Sequence, residues 1–253
     1  MILSQGVFNH FNMISIIIAA YNEENRITPS LFKIKDYMDN QGIDYEIIVV
    51  DDGSNDRTSE VVRGVTPDIP HLRVIRYEVN RGKGYALKTG VLASHGDVVL
   101  LSDADLSTPI EELSKLLPLI NDKSCVVAIG SRGLALSDTV KRQPWWRQNM
   151  GKIFNKIVKF TVLDDFQDTQ CGFKIFSGDI ARALFRESEV ERFAYDVEIL
   201  ARAKKKGYRI REVPIRWINS PESKVNPLKD SFQMVFDLLK IRARVGNVKG
   251  KRV

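Results

Sequence analysis

Strand-like and helix-like segments alternate along the first half of the chain. Strand-like segments occur at four places: 14–20, which is a continuous β-branched run, 45–50, 72–77 and 97–101. Helix-like segments separate these strands and end near residues 39, 63 and 94. Strands that alternate with helices are typical of a parallel sheet with helices on both faces. The pattern therefore predicts an α/β fold with a mostly parallel central sheet.

After residue 125 the pattern is less regular. It predicts a strand at 126–130, helices at about 147–162 and at 194–206, a polar loop at 164–173 and a strand-like segment at 209–217. No repeat, low-complexity segment or flexible linker divides the chain. We therefore expect a single domain at 13–225 whose halves meet near 125–126, an extension at 1–12, and a basic amphipathic helix and tail at 226–253.

Polar residues follow each of the four predicted strands of the first half. These clusters are Tyr21-Asn22-Glu23, Asp51-Asp52, Arg81 to Gly84, and Asp103-Ala104-Asp105. Ligands of open α/β sheets bind in the crevice beyond the carboxyl ends of the strands. Each cluster alone could be turn chemistry, but four clusters at one edge of a sheet predict a ligand site.

Asp103 and Asp105 are separated by one small residue and follow the apolar run 98–101. Two carboxylates at the end of a parallel strand can bind a divalent cation. Mg²⁺ and Mn²⁺ prefer hard oxygen ligands, and Mg²⁺ typically uses one or two carboxylates together with phosphate oxygens and water. The alternative is a solvated turn, since Asp-x-Asp is a common sequence. A cation at this position would suit a bound diphosphate.

The other clusters also allow two interpretations. Asp51 and Asp52 could accept hydrogen bonds from a nucleobase or a ribose, or they could form an Asx turn and cap the next helix. The loop from Arg81 to Gly84 places two cations and two glycines just before a helix, where phosphate is attracted. This loop matches neither the Walker pattern nor the complete Rossmann fingerprint.

The composition limits the classes of function. The net charge of +6 over 253 residues favours anionic partners such as nucleic acid, anionic lipid or a nucleotide diphosphate. Cys125 and Cys171 lack metal-ligand spacing and indicate a reducing compartment. No apolar run reaches the about 20 residues of a membrane-spanning helix, and residues 1–12 lack the features of a signal peptide. We therefore expect a protein that can lie on a bilayer but does not span it.

Four motifs resemble, in this order, those of family-two glycosyltransferases with the GT-A fold: SIIIAAYNEE (15–24), VVDDGS (49–54), NRGKG (80–84) and LSDAD (101–105). Three more resemble the dolichyl-phosphate β-glucosyltransferase branch: DTQCGFK (168–174), ERFAYDVEIL (191–200) and EVPIRW (212–217). The resemblance implies a Rossmann-like three-layer sandwich with a nucleotide-sugar half and an acceptor half. It also implies an inverting transfer of a hexose, with UDP-glucose the expected donor, to a polyprenyl or dolichyl phosphate.

The resemblance implies roles for individual residues. The donor, a UDP-sugar or alternatively a GDP-sugar, would be bound by residues of all four motifs: Ala20, Tyr21, Glu23, Asp51, Asp52, Lys83, Asp103 and Ala104. Asp103 and Asp105 would hold Mg²⁺ or Mn²⁺, with Asp105 also catalytic. Arg132 and, as a second candidate, Arg147 would bind the acceptor phosphate.

The acceptor determines which catalytic groups are needed. A sugar hydroxyl stays protonated at neutral pH and needs a base. A phosphate monoester has a second pKa of about 6, so it is already largely ionised and needs cations to position it. His10, His71 and His95 lie outside the clusters. Asp168 is therefore the main candidate for a base, ahead of Asp196 and Glu198, although it could instead bind backbone amides.

Two helices have features of membrane-surface helices. Met150, Ile153, Phe154 and Ile157 share one face of the first, with lysines opposite. The tail helix has two apolar stripes, Leu228, Phe232, Val235, Leu239 and Met234, Leu238, Ile241, Val245. Such faces suit an anionic membrane interface, or they pack on the domain or on a second copy in a homodimer. We expect peripheral association with the cytoplasmic face of a membrane and no nucleic-acid partner.

Three alternatives stay open at this stage. The same fold could transfer sugar to a saccharide hydroxyl in polysaccharide or glycolipid synthesis. A nucleotidyltransferase could share the nucleotide-binding half. A protein without enzymatic activity could bind anionic lipid or nucleic acid through its basic tail, although carboxylates at the strand ends would repel phosphate unless a cation intervened.

Overall fold

A computed structural model describes residues 11–141, 145–218, 227–248 and 250 of the chain. Its strands are β1 (Ile14–Ala20), β2 (Tyr45–Asp51), β3 (Leu72–Arg76), β4 (Val98–Asp103), β5 (Val127–Ser131), β6 (Asp138–Lys141), β7 (Lys174–Ser177), β8 (Ile210–Pro214) and β9 (Arg216–Ile218). Its helices are α1 (Ile27–Gln41), α2 (Thr58–Gly64), α3 (Lys83–Leu92), α4 (Leu113–Asn121), α5 (Trp145–Thr161), α6 (Gly178–Glu187), α7 (Tyr195–Lys205) and α8 (Pro227–Val245).

Seven of these strands form one sheet in the order β3-β2-β1-β4-β7-β5-β8. β1 is parallel to β2 and β4, β2 is parallel to β3, and β5 is parallel to β8. β7 runs antiparallel to both of its neighbours, β4 and β5. β6 and β9 form a separate two-stranded parallel ladder. The predicted single-domain α/β fold with a mostly parallel central sheet is confirmed.

Helices cover both faces of the sheet, which explains why its strands β1, β2 and β4 are mostly apolar and buried. Successive side chains of a strand point to opposite faces, so Ile16 and Ile18 of β1 pack in one core while Ile17 packs in the other. The first core receives α1, α2 and α4, and the second receives α3, α5, α6, α7 and α8. The result is the three-layer sandwich that the resemblance implied.

The structure contains elements that the apolar pattern did not predict, namely α4 in the first half and β6, β7 and α6 in the second. β7 is four residues long and begins with the charged Lys174, so it shows no strand-like pattern of its own. It forms because Leu101 of β4 and Ile129 of β5 pair with Lys174 from either side. The predicted segment at 209–217 is two strands, β8 and β9, in different sheets.

Helix α8 packs one face on the domain, beside α5 and α7. The stripe Met234, Leu238, Ile241 and Val245 is buried in the second core. Of the other stripe, Leu239 is exposed and Val235 is half-buried, while the side chains of Leu228 and Phe232 lie outside the described residues. On α5, Phe154 is buried and Ile153 is exposed. Within the described ranges, no helix is both long enough and apolar enough to cross a bilayer.

Candidate active site at the carboxyl edge of the sheet

The polar clusters meet at one edge of the sheet. Ala20 at the end of β1 pairs with Asp51 at the end of β2, and Ala19 pairs with Asp103 at the end of β4. The backbone N–H of Asp52 donates to the carbonyl of Ala20 at 2.8 Å. The strand ends therefore bring together clusters that are more than 80 residues apart in sequence.

Lys83 and Asp103 form an ion pair across this edge. Nζ of Lys83 lies 2.5 Å from Oδ1 of Asp103. Burial raises the pKa of Asp103, but the charge and hydrogen bond of Lys83, together with the charges of Lys174 and Arg132, hold this pKa below its ordinary value. Burial lowers the pKa of Lys83, but the carboxylates of Asp103 and Asp196 raise it above its ordinary value. Both groups are therefore charged at neutral pH.

The carboxylate of Asp103 lies directly against Gly172. A β-carbon added at Gly172 would be 2.3 to 2.5 Å from the carboxyl atoms of Asp103, which is closer than real side chains approach. Gly172 thus leaves the space that Asp103 occupies.

Asp105 is held by its own turn and by Arg26. Oδ1 of Asp105 accepts a hydrogen bond from the backbone N–H of Ser107 at 3.0 Å, and Oδ2 lies 3.5 Å from Nη1 of Arg26. Arg26 also donates to Glu23 from Nη2 and Nε, at 2.6 and 2.8 Å. The motifs did not single out Arg26, although a spacing of three residues from Glu23 favours contact in a helical turn. Arg26 connects the first polar cluster to the metal-site candidates.

The carboxylates of Asp51 and Asp52 organise the ends of two strands. Asp51 is fully buried and accepts from the N–H of Ser54 at 2.9 Å. Asp52 accepts from the N–H groups of Arg81 and Gly82, both at 2.8 Å. The turn chemistry that the sequence allows therefore forms at Asp51, while Asp52 ties the loop before α3 to the end of β2.

Glycines on either side of Lys83 allow close packing. Gly82 has a φ of +113°, and a β-carbon there would lie 2.7 Å from the carbonyl oxygen of Glu191. A β-carbon at Gly84 would lie 2.5 Å from the carbonyl oxygen of Val190. The loop is thus pressed against the 190–192 segment, and Lys83 is fixed in direction at the start of α3.

The remaining residues expected to bind the nucleotide line the same edge. Ala20, Glu23 and Ala104 are buried, and Tyr21 is half-buried. The N–H of Glu23 donates to the hydroxyl of Thr58 at 2.8 Å, which fixes the turn after β1 to the start of α2.

Arg132 and Asp168 form a two-point ion pair after the end of β5. Nε of Arg132 donates to Oδ2 of Asp168 at 2.6 Å, and Nη2 donates to Oδ1 at 2.9 Å. The N–H of Arg132 and the N–H of Gln170 donate to the same two oxygens, both at 3.1 Å. Burial raises the pKa of Asp168, but the charge and hydrogen bonds of Arg132 outweigh it and keep this pKa below its ordinary value.

Neighbouring residues hold this pair in place. Glu212 of β8 accepts from the N–H groups of Gln167 and Asp168, at 2.9 and 2.7 Å. The guanidinium of Arg132 lies 5.5 Å from the ring centre of Trp217. Arg147 falls in α5, but its side chain lies outside the described residues, so its predicted role stays a prediction.

The other candidate bases differ in position. Asp196 is buried and accepts from the ammonium of Lys174. Glu198 instead accepts from the N–H of Val190 at 2.8 Å and from Nη2 of Arg202 at 2.7 Å, so it stabilises the segment behind the Lys83 loop.

Two histidines lie at the opposite edge of the sheet. His71 packs edge-on against Tyr45 with ring centres 5.6 Å apart, and Nδ1 of His95 lies 3.5 Å from Glu46. Tyr45 and Glu46 begin β2, whereas the site is at its end. His10 lies outside the described residues. Near the site, burial raises the pKa of the Cys171 thiol to about 11, so this thiol is neutral and a poor nucleophile.

Known proteins are similar to this chain in sequence and in fold. Residues 15–185 match the family described as Glycosyl transferase family 2. Proteins named dolichyl-phosphate beta-glucosyltransferase from Dictyostelium discoideum and Homo sapiens are each 34% identical over 91% of this chain, which covers 74% and 75% of their lengths. Glucosyl-3-phosphoglycerate synthase from Mycobacterium tuberculosis, solved with Mn²⁺, UDP and phosphoglyceric acid, matches with a TM-score of 0.71 at 19% identity, over 93% of this chain and 79% of that one. The chain therefore belongs to glycosyl transferase family 2 and is a glycosyltransferase with the GT-A fold.

Proposed function

We propose that the protein transfers glucose from UDP-glucose to a dolichyl or other polyprenyl phosphate, with inversion at the anomeric carbon and with Mg²⁺ or Mn²⁺ as cofactor. The acceptor and the sugar are supported by the names of the relatives at 34% identity. The donor nucleotide and the cation are supported by the Mycobacterium tuberculosis enzyme, which was solved with UDP and Mn²⁺.

The observation that carries the choice of acceptor is the ion pair between Arg132 and Asp168. A general base needs a free lone pair and a pKa near the working pH. Both carboxylate oxygens of Asp168 already accept hydrogen bonds, and the pKa of Asp168 lies below its ordinary value. These properties suit a phosphate acceptor, because its oxygen is already ionised and needs no strong base.

Arg132 is the residue that we assign to the acceptor phosphate. A guanidinium has five N–H donors in a planar fork, and the ion pair with Asp168 uses two of them. The side chain is 31% exposed, so ligand oxygens can reach it. Asp168 then takes part in catalysis by fixing the direction of Arg132, and Arg147 is a second candidate for the same phosphate.

Asp103 and Asp105 fit a divalent cation. Among the described residues no group of three or more His, Cys, Asp and Glu forms a metal cluster, so diphosphate oxygens and water would complete the coordination, as is common for Mg²⁺. The space beside Gly172 keeps the carboxylate of Asp103 at the strand end. The bound cation would stabilise the negative charge that develops on the leaving diphosphate, and Lys83 would add a second positive charge beside it.

The nucleoside would bind between the turn after β1 and the loop after β2. Tyr21 and Glu23, with Ala20 and Ala104 beneath them, would provide the contact surface. Asp51 and Asp52 would act by shaping this surface, since their oxygens bind backbone N–H groups.

A lipid acceptor would explain why apolar side chains are exposed on α5 and α8. These two helices pack against each other. Ile153 and Phe160 on α5, and Phe236 and Leu239 on α8, are each more than half exposed. We propose that these residues contact the cytoplasmic surface of a membrane, from which the phosphate of the acceptor projects. Apolar side chains with basic neighbours such as Arg242 suit an anionic interface.

A donor-by-acceptor screen tests this function. Radiolabelled UDP-glucose and GDP-mannose are each offered with polyprenyl phosphate and with a panel of saccharides, in Mg²⁺, Mn²⁺ or EDTA. The expected result is label in polyprenyl phosphate from UDP-glucose only when a cation is present, and none with Asp105→Asn. Label confined to saccharides would favour the hydroxyl-acceptor reaction, and transfer in EDTA would contradict the metal requirement.

A further inference from the structure

Lys174 is a charged residue in the middle of the central sheet. It begins β7 and pairs with Leu101 of β4 on one side and with Ile129 of β5 on the other. Its side chain is only 1% exposed. Removing an ammonium from water is costly even in a relaxed protein, and an apolar residue would fill such a position at less cost. This lysine therefore calls for an explanation other than packing.

The ammonium of Lys174 joins two segments that form the site. It donates to the carboxylate of Asp196, at the start of α7, and to the carbonyl of Cys171. Cys171 is followed by Gly172, the residue against which the carboxylate of Asp103 lies. One buried cation thus fixes the turn that bounds Asp103 to the helix that carries Asp196.

The start of α7 lies against the loop that carries Lys83. A β-carbon at Gly84 would lie 2.7 Å from the β-carbon of Tyr195, which directly precedes Asp196. The charge of Asp196 agrees with this placement: burial lowers the pKa of Lys83, and the carboxylates of Asp103 and then of Asp196 raise it. The buried pair therefore lies beside the donor side of the site.

The ammonium of Lys83 cannot bind both Asp103 and a diphosphate fully at the same time. Its ammonium occupies Oδ1 of Asp103, whereas the proposed function needs Asp103 on the cation and Lys83 on the diphosphate. Resting on that function, we propose that Lys174 and Asp196 are a positioning pair for the donor site. Lys174 holds the turn at 171–172 against Asp103, and Asp196 gives Lys83 a second buried carboxylate, which keeps its ammonium at the site when Asp103 turns to the cation.

Binding of Mn²⁺ and UDP tests this role without turnover. Lys174→Met and Asp196→Asn each remove one charge of the pair, and the new amide of Asp196→Asn can still accept a hydrogen bond from Lys174 through its oxygen. Changes in the residues that support metal ligands typically cost about 10- to 100-fold in metal affinity. We expect a loss of this size in the affinity for Mn²⁺–UDP by calorimetry, a changed electron paramagnetic resonance spectrum of bound Mn²⁺, and an unchanged KM for polyprenyl phosphate.

Two matched controls distinguish the effect of a charge beside the donor site from the effect of losing any buried charge. Lys204 is as buried as Lys174 but binds Asp164 and Asp165, and Glu46 is a buried carboxylate at the opposite edge of the sheet. Lys204→Met and Glu46→Gln should lose thermal stability while they bind Mn²⁺–UDP like the parent protein. If Lys174→Met does not fold, Asp196→Asn, which preserves shape, decides alone.

The outcomes distinguish the two proposals. A parent protein that binds Mn²⁺–UDP, with folded Lys174→Met or Asp196→Asn variants that bind it equally well, would overturn the positioning role and leave the proposed function standing. A parent protein that binds no Mn²⁺–UDP would overturn both. Equal losses in the Lys204→Met and Glu46→Gln controls would also overturn the positioning role, because general destabilisation would then explain the effect.

Discussion

The guanidinium of Arg132 binds both carboxylate oxygens of Asp168, at 2.6 Å from Nε and 2.9 Å from Nη2. This fork is a planar arrangement that a lysine ammonium cannot reproduce. It fixes the direction of Arg132 at the end of β5, and it occupies the carboxylate that would otherwise be the most suitable base. We propose that the same pair provides a phosphate-binding cation and makes Asp168 a poor base.

Replacing the fork should impair use of the acceptor more than use of the donor. Arg132→Lys retains the charge but loses the two-point contact, and we expect kcat/KM for polyprenyl phosphate to fall about 100-fold, which is about 2.7 kcal/mol of transition-state stabilisation. The KM for UDP-glucose should change little. Steady-state kinetics with each substrate varied in turn measure both effects.

Arg73→Lys is the matched control for this substitution. Arg73 binds Glu46 at the opposite edge of the sheet, with its Nη2 2.7 Å from the carboxylate. The Arg73→Lys variant should keep the kcat/KM for polyprenyl phosphate and the KM for UDP-glucose of the parent protein. A loss in Arg132→Lys that fell on the KM for UDP-glucose would place Arg132 on the donor side instead.

The loss of activity at low pH should be caused by protonation of the acceptor phosphate. Asp168 has a pKa below the ordinary value of about 3.9. Its ion pair is therefore complete above that value and is lost only as the pH falls through the lowered pKa of the folded state. The second pKa of a phosphate monoester is about 6, so activity should fall as the pH decreases through about 6. A phosphonate analogue of the acceptor, whose second ionisation needs a higher pH, should shift this loss to higher pH, and a loss that stays in place would indicate a titrating protein group.

The position of Gly172, beside the carboxylate of Asp103, should not tolerate an added methyl group. In Gly172→Ala the new β-carbon would meet the carboxyl atoms of Asp103 at 2.3 to 2.5 Å, so that carboxylate must move. We expect the affinity for Mn²⁺ in the presence of UDP to fall by about 10-fold or more, measured by calorimetry. Gly151→Ala on α5, where a β-carbon meets nothing within 4 Å, should bind normally and gain up to about 1 kcal/mol of helix stability. Normal Mn²⁺ affinity in Gly172→Ala would show that Asp103 is not held where the cation binds.

The exposed apolar side chains of α8 should be needed for membrane contact. Phe236 is 62% exposed and Leu239 is 55% exposed. The double variant Phe236→Glu/Leu239→Glu should reduce sedimentation with anionic liposomes, since it replaces apolar contact by charge repulsion. Leu92→Glu at the end of α3 is a control for adding charge at an exposed leucine elsewhere. Equal sedimentation of all three proteins would contradict a role for this surface of α8.

The first half of the fold could be predicted from the sequence because its local signals agree. The strands β1, β2 and β4 are mostly apolar, and a polar motif follows each of the first four strands, so both the sheet and its ligand-binding edge follow from local pattern. The bounds of β1 agree with the prediction at both ends. The resemblance then implied roles for single residues, whereas the turn at Asp51 became visible only in the hydrogen bond from Ser54.

The second half depends on contacts that no local pattern reveals. β7 is recognisable only beside β4 and β5, and its first residue is charged. The partner of Lys174 is 22 residues away on another element. The first half has such a contact at the site too, between Arg26 and Asp105, which spans 79 residues. The ion pair between Asp168, the candidate base of the sequence, and Arg132, 36 residues away, also requires the folded loop, and the role of Asp168 as a base stays a prediction.

The bond formed in the product tests the proposed reaction most directly. Nuclear magnetic resonance of the glycolipid made from UDP-glucose and polyprenyl phosphate reports both the configuration at the anomeric carbon and the coupling of the anomeric proton to phosphorus. The expected product is a β-glucosyl phosphodiester, with phosphorus coupling at the anomeric proton. A product with the α configuration would contradict inversion. A product in which glucose is linked through the oxygen of a hydroxyl group, with no phosphorus coupling, would contradict transfer to a phosphate that Arg132 positions.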